Sequence, residues 1–147
     1  MADESHWARR LADDKLKQRE KKQSDQEKVI SDRKLIQSRG SEMRQQFENE
    51  VLKCLGELKL AMDGEDVITL RKESAGGRLS LHDPKSGKEI IGMPFHPEYG
   101  EMPTLWGEYK LVPQGTNDVV WRDKYNSNWT TENLARFIVQ KAFEQVS

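Results

Sequence analysis

The chain has 147 residues, of which 33% are charged and 35% are hydrophobic, and its formal net charge is −1. This length predicts one domain, and the low hydrophobic share indicates that part of the chain is solvated helix or disordered tail. Residues 1–40 hold eleven Lys and Arg against eight Asp and Glu. This mild excess is far from the dense basic surface that drives nucleic-acid binding, so nucleic acid is not the expected partner.

Cys54 is the only cysteine, which excludes an intrachain disulfide and is typical of a reducing compartment. Its apolar neighbours predict a small buried hydrophobe rather than a reactive thiol. The start of the sequence, Met1–His6, is polar, and the chain contains no apolar run long enough to cross a bilayer. We therefore expect a cytoplasmic protein without a membrane partner.

The pattern changes near Met62–Glu65, where helical periodicity gives way to short alternating segments. We predict a charged helical or partly disordered extension over residues 1–40 and a single α+β domain over residues 41–147. A long helix precedes the break, with one apolar stripe at about 100° per residue. Its members are Val29, Ile36, Met43, Phe47, Val51, Cys54, Leu55, Leu58 and Met62. Gly40 interrupts this stripe, and we expect a kink or a break there.

Between Ala12 and Lys28 the only apolar residues are Ala12 and Leu16, so this stretch cannot join a core. A solvated single helix and a disordered segment are both compatible with its composition. Trp7 and Leu11 lie four residues apart and would share one helix face. Two interpretations remain open: the pair docks on another chain, or Trp7 packs back on the chain's own domain.

After the break, five segments have strand character, and short turns between them predict an antiparallel meander. The segments are Val67–Lys72, Arg78–His82, Glu89–Met93, Leu105–Val112 and Asp118–Arg122. The turns are expected at Ser74–Gly77, Asp83–Lys88 and Pro113–Asn117. A closing helix follows, with Thr130 as its N-cap and an apolar face from Leu134 to Val146, and it is expected to pack on the sheet.

The stretch Gly92–Thr104 is a long, proline-containing connection, and connections of this kind often carry binding residues. This stretch, the nearby Trp106 and the two N-terminal residues supply the predicted partner contacts. These contacts are Trp7, Leu11, Phe95, His96, Tyr99 and Trp106. The alternative is that Phe95 and Tyr99 turn inward and form a small cluster under the connection.

No catalytic, cofactor-binding or metal-binding residue is predicted. His82 and His96 lack the tight spacing of metal ligands. Ser80 and His82 are two residues apart on one strand, which alternation alone explains. Gly76-Gly77 precedes a strand, whereas a phosphate-binding loop needs a helix after its glycines. We therefore expect a protein that is not an enzyme and that uses no cofactor.

These observations favour a non-enzymatic protein-interaction module with a helical N-terminal contact arm. The partner would be another protein or a second copy, because Val29, Ile36 and Met43 recur every seven residues. One alternative is a nucleic-acid-associated protein that uses the basic segment Lys15–Lys22. The other is a small ligand-binding domain with its pocket between the sheet and the helices.

Overall fold

The described residues form an α+β structure of two helices and two antiparallel sheets. The computed structural model describes residues 2–73, 78–96 and 98–146, with side chains from His6 onward. The elements are α1 (Ala2–Ala61), β1 (Thr69–Lys72), β2 (Leu79–His82), β3 (Glu89–Met93), β4 (Glu101–Thr104), β5 (Gly107–Gln114), β6 (Asp118–Asp123), β7 (Asn128–Trp129) and α2 (Thr131–Glu144). The predicted turn at Ser74–Gly77 and residue Pro97 lie outside the described residues.

The strands form two sheets, so the predicted single meander of five strands is wrong. The first sheet has the order β1-β2-β3 and the second the order β4-β5-β6-β7, with every pairing antiparallel. The five predicted segments all contain strands, and the two additional ones are β4 and β7. Strands that follow one another in the chain pair within each sheet, as short connections favour. β3 and β4 do not pair, and the chain passes there from the first sheet to the second.

The sequence pattern does not predict β4, because the strand contains Pro103, which lacks a backbone N–H donor. The N–H of Leu111 donates to the carbonyl of Gly100 at 2.7 Å, and Met102 pairs with Tyr109 in the same ladder. In this phase of the ladder Pro103 directs its nitrogen away from β5. The missing N–H therefore costs no bond with β5, which is how proline is tolerated in a strand.

β7 is only two residues long and depends on the turn before it. One carboxylate oxygen of Asp123 accepts hydrogen bonds from the N–H groups of Tyr125 (2.8 Å) and Ser127 (3.0 Å). The other accepts from the indole N–H of Trp129 at 2.9 Å. These hydrogen bonds lower the pKa of the Asp123 carboxyl, and the indole bond contributes most, followed by the bond from Ser127. The carboxylate thus fixes a turn that strand propensity alone does not reveal.

The chain divides into two compact units, Met1–Lys34 and Leu35–Ser147. From Ala2 onward the residues of the first unit belong to α1, and every described side chain from His6 to Ser31 is exposed. The second contains the remainder of α1, both sheets and α2. The hydrophobic core belongs to this second unit, where all twenty buried hydrophobic residues of the described chain lie.

Within the second unit, α1 buries the middle of the apolar stripe that periodicity predicted, whereas Met62 lies beyond the end of the helix and is exposed. Met43, Phe47 and Val51 are at most 6% exposed. α1 continues through Gly40 without a break, contrary to the expectation of a kink. Gly40 is itself buried, so packing around it offsets a helix-propensity cost of about 1 kcal/mol.

α1 ends where the change of pattern predicted. Its last residue is Ala61, and the N–H of Gly64 donates to the carbonyl of Lys59 at 2.8 Å. Gly64 has a φ of 86°, a left-handed conformation that glycine adopts at little cost. Asp63 precedes it with a φ of 55°. Two successive left-handed residues turn the chain out of the helix and towards β1.

The centre of the core is Trp121 on β6, which is completely buried. Its ring lies 6.2 Å from that of Phe47 on α1 and 5.8 Å from that of Phe95, measured between centroids. Its indole N–H donates to the hydroxyl of Thr131 at 3.2 Å. One side chain therefore contacts the long helix, the connection after β3 and the start of α2.

α2 begins as predicted. Thr130 is the N-cap, and its hydroxyl accepts a hydrogen bond from the N–H of Asn133 at 3.1 Å. Glu132 in the first turn complements the positive end of the helix dipole. The buried face of α2 consists of Leu134, Ala135, Ile138, Val139 and Ala142. The predicted apolar face is confirmed as far as Ala142, whereas Phe143 is 38% exposed and Val146 lies beyond the end of α2. The buried part places α2 against the core of the second unit.

Replacing Phe47 tests whether the second half of α1 belongs to the core. Phe47→Ala is expected to lower the free energy of unfolding by about 3–5 kcal/mol, because a buried ring is lost and a cavity remains. Leu60→Ala, on the same helix at a residue that is 82% exposed, should change it by less than about 0.5 kcal/mol. Urea unfolding monitored by circular dichroism measures both. Equal effects would show that α1 is not packed on the sheets.

Candidate functional site

The N-terminal contact face consists of Trp7 and Leu11, four residues apart on α1. Their side chains are 62% and 60% exposed. Basic residues, Arg9 and Arg10, lie between them in the sequence and are exposed as well. An exposed indole one helical turn from an exposed leucine is an arrangement that can insert into an apolar groove of a partner. Both residues stay where the sequence placed them, on one face of a helix.

The stretch Ala12–Lys28 is helical, which answers the open question between a helix and disorder. Its side chains are exposed throughout, including that of Leu16 at 53%. Residues 13–25 hold five Lys and Arg against four Asp and Glu. The positive charge of Lys15–Lys22 is therefore diluted by its acidic neighbours, and the segment offers no concentrated surface for a phosphate backbone.

The three residues whose seven-residue spacing suggested self-association, Val29, Ile36 and Met43, do not form an exposed apolar stripe. Met43 is buried in the core, and Ile36 packs against it. Of the three residues, only Val29 is largely exposed, at 55%. Because a coiled coil needs successive apolar positions facing a second helix, these three residues do not provide one.

The predicted contact patch on the connection after β3 is only partly present. Phe95 is 5% exposed and packs on Trp121, so it is not available to a partner and its assignment as a contact is wrong. Trp106 is partly buried against the core. Tyr99 is 66% exposed, and His96 is exposed. The patch is thus reduced to His96 and Tyr99.

Gly100 determines how this connection is folded. The carbonyl of His96 accepts hydrogen bonds from the N–H groups of Tyr99 (3.1 Å) and Gly100 (2.8 Å). Gly100 has a φ of 64°, and a Cβ atom added there would lie 2.6 Å from the side chain of Ile36 and 3.0 Å from that of Leu111. Neither the conformation nor the space suits a side chain, so glycine is required beside the exposed Tyr99.

The spacing of Ser80 and His82 was explained by strand alternation alone, but in the structure their side chains are hydrogen-bonded. The Ser80 hydroxyl lies 2.8 Å from Nε2 of His82. Such a pair resembles a nucleophile and its base, but Ser80 is only 3% exposed, which denies a substrate access to the hydroxyl. Nδ1 of His82 has no hydrogen-bond partner among the described residues, so no carboxylate orients the ring. The pair therefore lacks two requirements of a catalytic serine.

Arg78 lies on the same face of the first sheet and is engaged by carboxylates. It forms ion pairs with Glu89 and with Glu73, the latter at 3.6 Å. The hydrogen bond from Arg78 lowers the pKa of the Glu89 carboxyl. The same bond raises the pKa of Arg78. The guanidinium occupies the space above Gly92, where any Cβ atom would collide with it.

Cys54 is partly buried in the second half of α1. Desolvation by its surroundings, followed by the charge of Glu57, raises the pKa of the thiol. A raised pKa leaves less thiolate at neutral pH, and the thiolate is the nucleophilic form. This agrees with the interpretation of Cys54 as a small hydrophobic residue.

Candidate metal ligands are not clustered in the described residues. Within residues 2–73, 78–96 and 98–146, no group of three or more His, Cys, Asp or Glu side chains could hold a metal ion. Five surface depressions formed by these residues have neither His82 nor His96 in their lining. None of the described helices is long and apolar enough to cross a membrane.

Comparison with known proteins adds no assignment. The chain matches no protein-family model, and neither the curated proteins nor the solved structures contain a significant match. Function must therefore be argued from the side chains themselves.

Replacing two left-handed glycines tests the role of Gly100. Gly115 has a φ of 75° and no atom within 4 Å of an added Cβ, so Gly115→Ala should cost only the conformational penalty, about 1 kcal/mol. Gly100→Ala adds the collision with Ile36 and Leu111 and should cost about 2–4 kcal/mol. Thermal unfolding of the two variants and of the unchanged chain gives the comparison. Equal losses would mean that the packing around Gly100 is not as described.

Proposed function

We propose that this protein is a non-enzymatic protein-interaction module whose N-terminal contact face, Trp7 and Leu11, binds another protein. The observation that carries the proposal is the exposure of these two side chains on one face of α1. Tryptophan is enriched among the residues that contribute most to binding at interfaces, because a buried indole removes a large apolar area from water.

The composition of the following stretch supports the same function. Between Ala12 and Lys28 the helix carries almost no apolar residues. A helix of this kind gains little from tertiary burial and depends on its own charge pairs. The apolar pair at its start is therefore not part of a continuous buried stripe, which favours a separate role in recognition.

The partner expected from this chemistry is a protein with an apolar groove that accepts a helix face. Arg10, which lies about 60° around the helix from Trp7, would lie at the rim of such a contact, where acidic residues of the partner would favour encounter. Another protein is preferred to a second copy through this segment, because two residues of the seven-residue recurrence, Ile36 and Met43, pack in the core and leave only Val29 largely exposed. Neither a cofactor nor a metal is required for this function.

Photo-crosslinking tests the proposal directly. A photoreactive phenylalanine analogue replaces Trp7 in one variant, Leu11 in a second and Arg9 in a third, in cells that contain the natural partners. Arg9 is the matched control, because two residues along a helix turn its side chain by about 200°, to the opposite face. We expect the same crosslinked protein from the first two variants and none from the third.

Two results would contradict the proposal. Equal crosslinking from all three variants would indicate nonspecific contact of an exposed helix. Crosslinks from Trp7 and Leu11 that end only within the same chain would show that the contact face packs on its own protein.

A further inference from the structure

A shallow depression lies on the second unit, between β7 and the solvent side of α2. Its volume is about 450 Å³, which is within the range of ligand sites in proteins, roughly 300–1,000 Å³. We call it the α2 depression, and its lining includes Asn128, Trp129, Asn133, Arg136, Phe137 and Gln140. β7 supplies the first two of these residues and α2 the other four. Both elements belong to the unit that contains the core, so the fold itself holds the walls of the depression.

Two aromatic rings of the lining are held in fixed orientations. The ring centroids of Trp129 and Phe137 lie 5.2 Å apart at an interplanar angle of 50°, and both side chains are partly exposed. The indole N–H of Trp129 donates to Asp123 at 2.9 Å, and its ring makes a T-shaped contact with that of Tyr109. Nζ of Lys141 lies 5.8 Å from the centroid of Phe137. The rings are therefore ordered before a ligand arrives, which lowers the entropic cost of binding.

Amide side chains flank Phe137 on one face of α2. Asn133 lies four residues before it and Gln140 three residues after it, so the three side chains lie one above another. Both amides are exposed, and they are about 10 Å apart along the helix axis. Asn128 adds a third amide, whose Oδ1 accepts a hydrogen bond from Nε of Arg122 at 3.0 Å and whose NH2 group remains as a donor. The lining thus offers hydrogen-bond donors and acceptors around an aromatic surface.

The α2 depression carries little charge, although 33% of the residues of the chain are charged. Arg136 is the one charged residue among its seven described lining residues, and Nη2 of Arg136 is already paired with Oε1 of Glu132 at 2.9 Å. By contrast, six of the nine residues that line the depression beside β4, β5 and β6 are charged. A phosphate or carboxylate group would find no unpaired cation in the described lining of the α2 depression, so its chemistry favours a neutral ligand.

Aromatic rings with neutral amides on either side suit a carbohydrate. A sugar ring presents C–H groups on its faces, which pack on an aromatic ring, and hydroxyl groups around its edge, which exchange hydrogen bonds with amides. A nucleobase would also stack on the rings, but the phosphate of a nucleotide would lack a cationic partner in this lining. The distance of about 10 Å between the amides of Asn133 and Gln140 exceeds the width of one sugar ring, which favours an oligosaccharide over a monosaccharide.

We propose that the α2 depression binds a neutral oligosaccharide. Trp129 and Phe137 provide the surface on which a sugar ring stacks. Asn133 and Gln140 hydrogen-bond to hydroxyl groups of successive sugar residues. Because the depression is shallow and the polar contacts are few, we expect a dissociation constant of about 1 mM. The site is separate from the N-terminal contact face and does not depend on its function.

Saturation-transfer difference NMR of the full chain with three neutral trisaccharides, maltotriose, cellotriose and triacetylchitotriose, tests the proposal. We expect transfer to at least one of them at concentrations up to about 10 mM. For that trisaccharide, Asn133→Ala/Gln140→Ala should raise the dissociation constant at least about fivefold, because two hydrogen bonds to hydroxyl groups are lost. The matched control is Gln114→Ala/Asn117→Ala, which removes two exposed amides that do not line the depression and should change the constant by less than about twofold.

A second pair of variants tests the stacking surface. Phe137→Leu removes the ring and keeps an apolar side chain of similar size, so the dissociation constant should rise about three- to tenfold. Phe137→Tyr keeps a ring at the same position and should stay within about twofold of the unchanged chain. Circular dichroism confirms that each variant is folded.

Three results would overturn the proposal. The first is no transfer to any of the three trisaccharides, and the second is equal transfer to the neutral tripeptide Ala-Gln-Ala, which would show that the depression does not select sugars. The third is a dissociation constant that changes in neither Asn133→Ala/Gln140→Ala nor Phe137→Leu. The variant Trp7→Ala/Leu11→Ala separates this site from the function proposed above, because it should bind the trisaccharide like the unchanged chain. Transfer lost only in that variant would place the sugar on the N-terminal contact face and contradict the proposal.

Discussion

Burial of the Trp121 indole is the interaction on which the rest of the second unit depends. The ring contacts Phe47 of α1 and Phe95 of the connection after β3, and its N–H donates to Thr131 at the start of α2. A buried indole needs both apolar neighbours and a hydrogen-bond acceptor, and here three different elements supply them. This requirement aligns α1 and α2 with the second sheet. It also draws Phe95 inward, so the aromatic residues of that connection are divided between the core and the surface.

The exposed aromatic residues Tyr99 and Trp7 differ in how their surroundings are ordered. Tyr99 is exposed beside a connection that Gly100 fixes, so a partner would find it already ordered. Trp7 is exposed on a helix whose described side chains up to Ser31 are not buried. Its order depends on helix propensity and charge pairs, which are marginal in water. Binding through Trp7 would therefore be coupled to stabilisation of the helix, whereas binding near Tyr99 would not.

The sequence was most informative where one local rule acted alone. Periodicity placed Met43, Phe47 and Val51 in the core, and Thr130 marked the start of α2 by capping. It failed where long-range pairing decided the outcome. Pro103 is permitted in β4 by the way β4 pairs with β5, and the sequence of β4 alone does not show this pairing. β7 is secured by one indole hydrogen bond and has too few residues to form a pattern. The sequence alone did not decide between a buried and an exposed Phe95 either, because its burial depends on contact with Trp121, which is far away in the sequence on β6. Of the six predicted contacts, Trp7, Leu11, His96 and Tyr99 are exposed, while the binding role of each stays a prediction.

The central claim is that the core begins in the second unit and that the preceding residues of α1 gain no stability from burial. Hydrogen exchange measured by mass spectrometry tests it most directly. The account predicts that amides within residues 6–31 exchange in seconds at neutral pH, near the rate of an isolated helix, while those around Phe47 and Trp121 remain protected for hours or longer. Equal protection along the whole of α1 in the monomeric chain would contradict the claim.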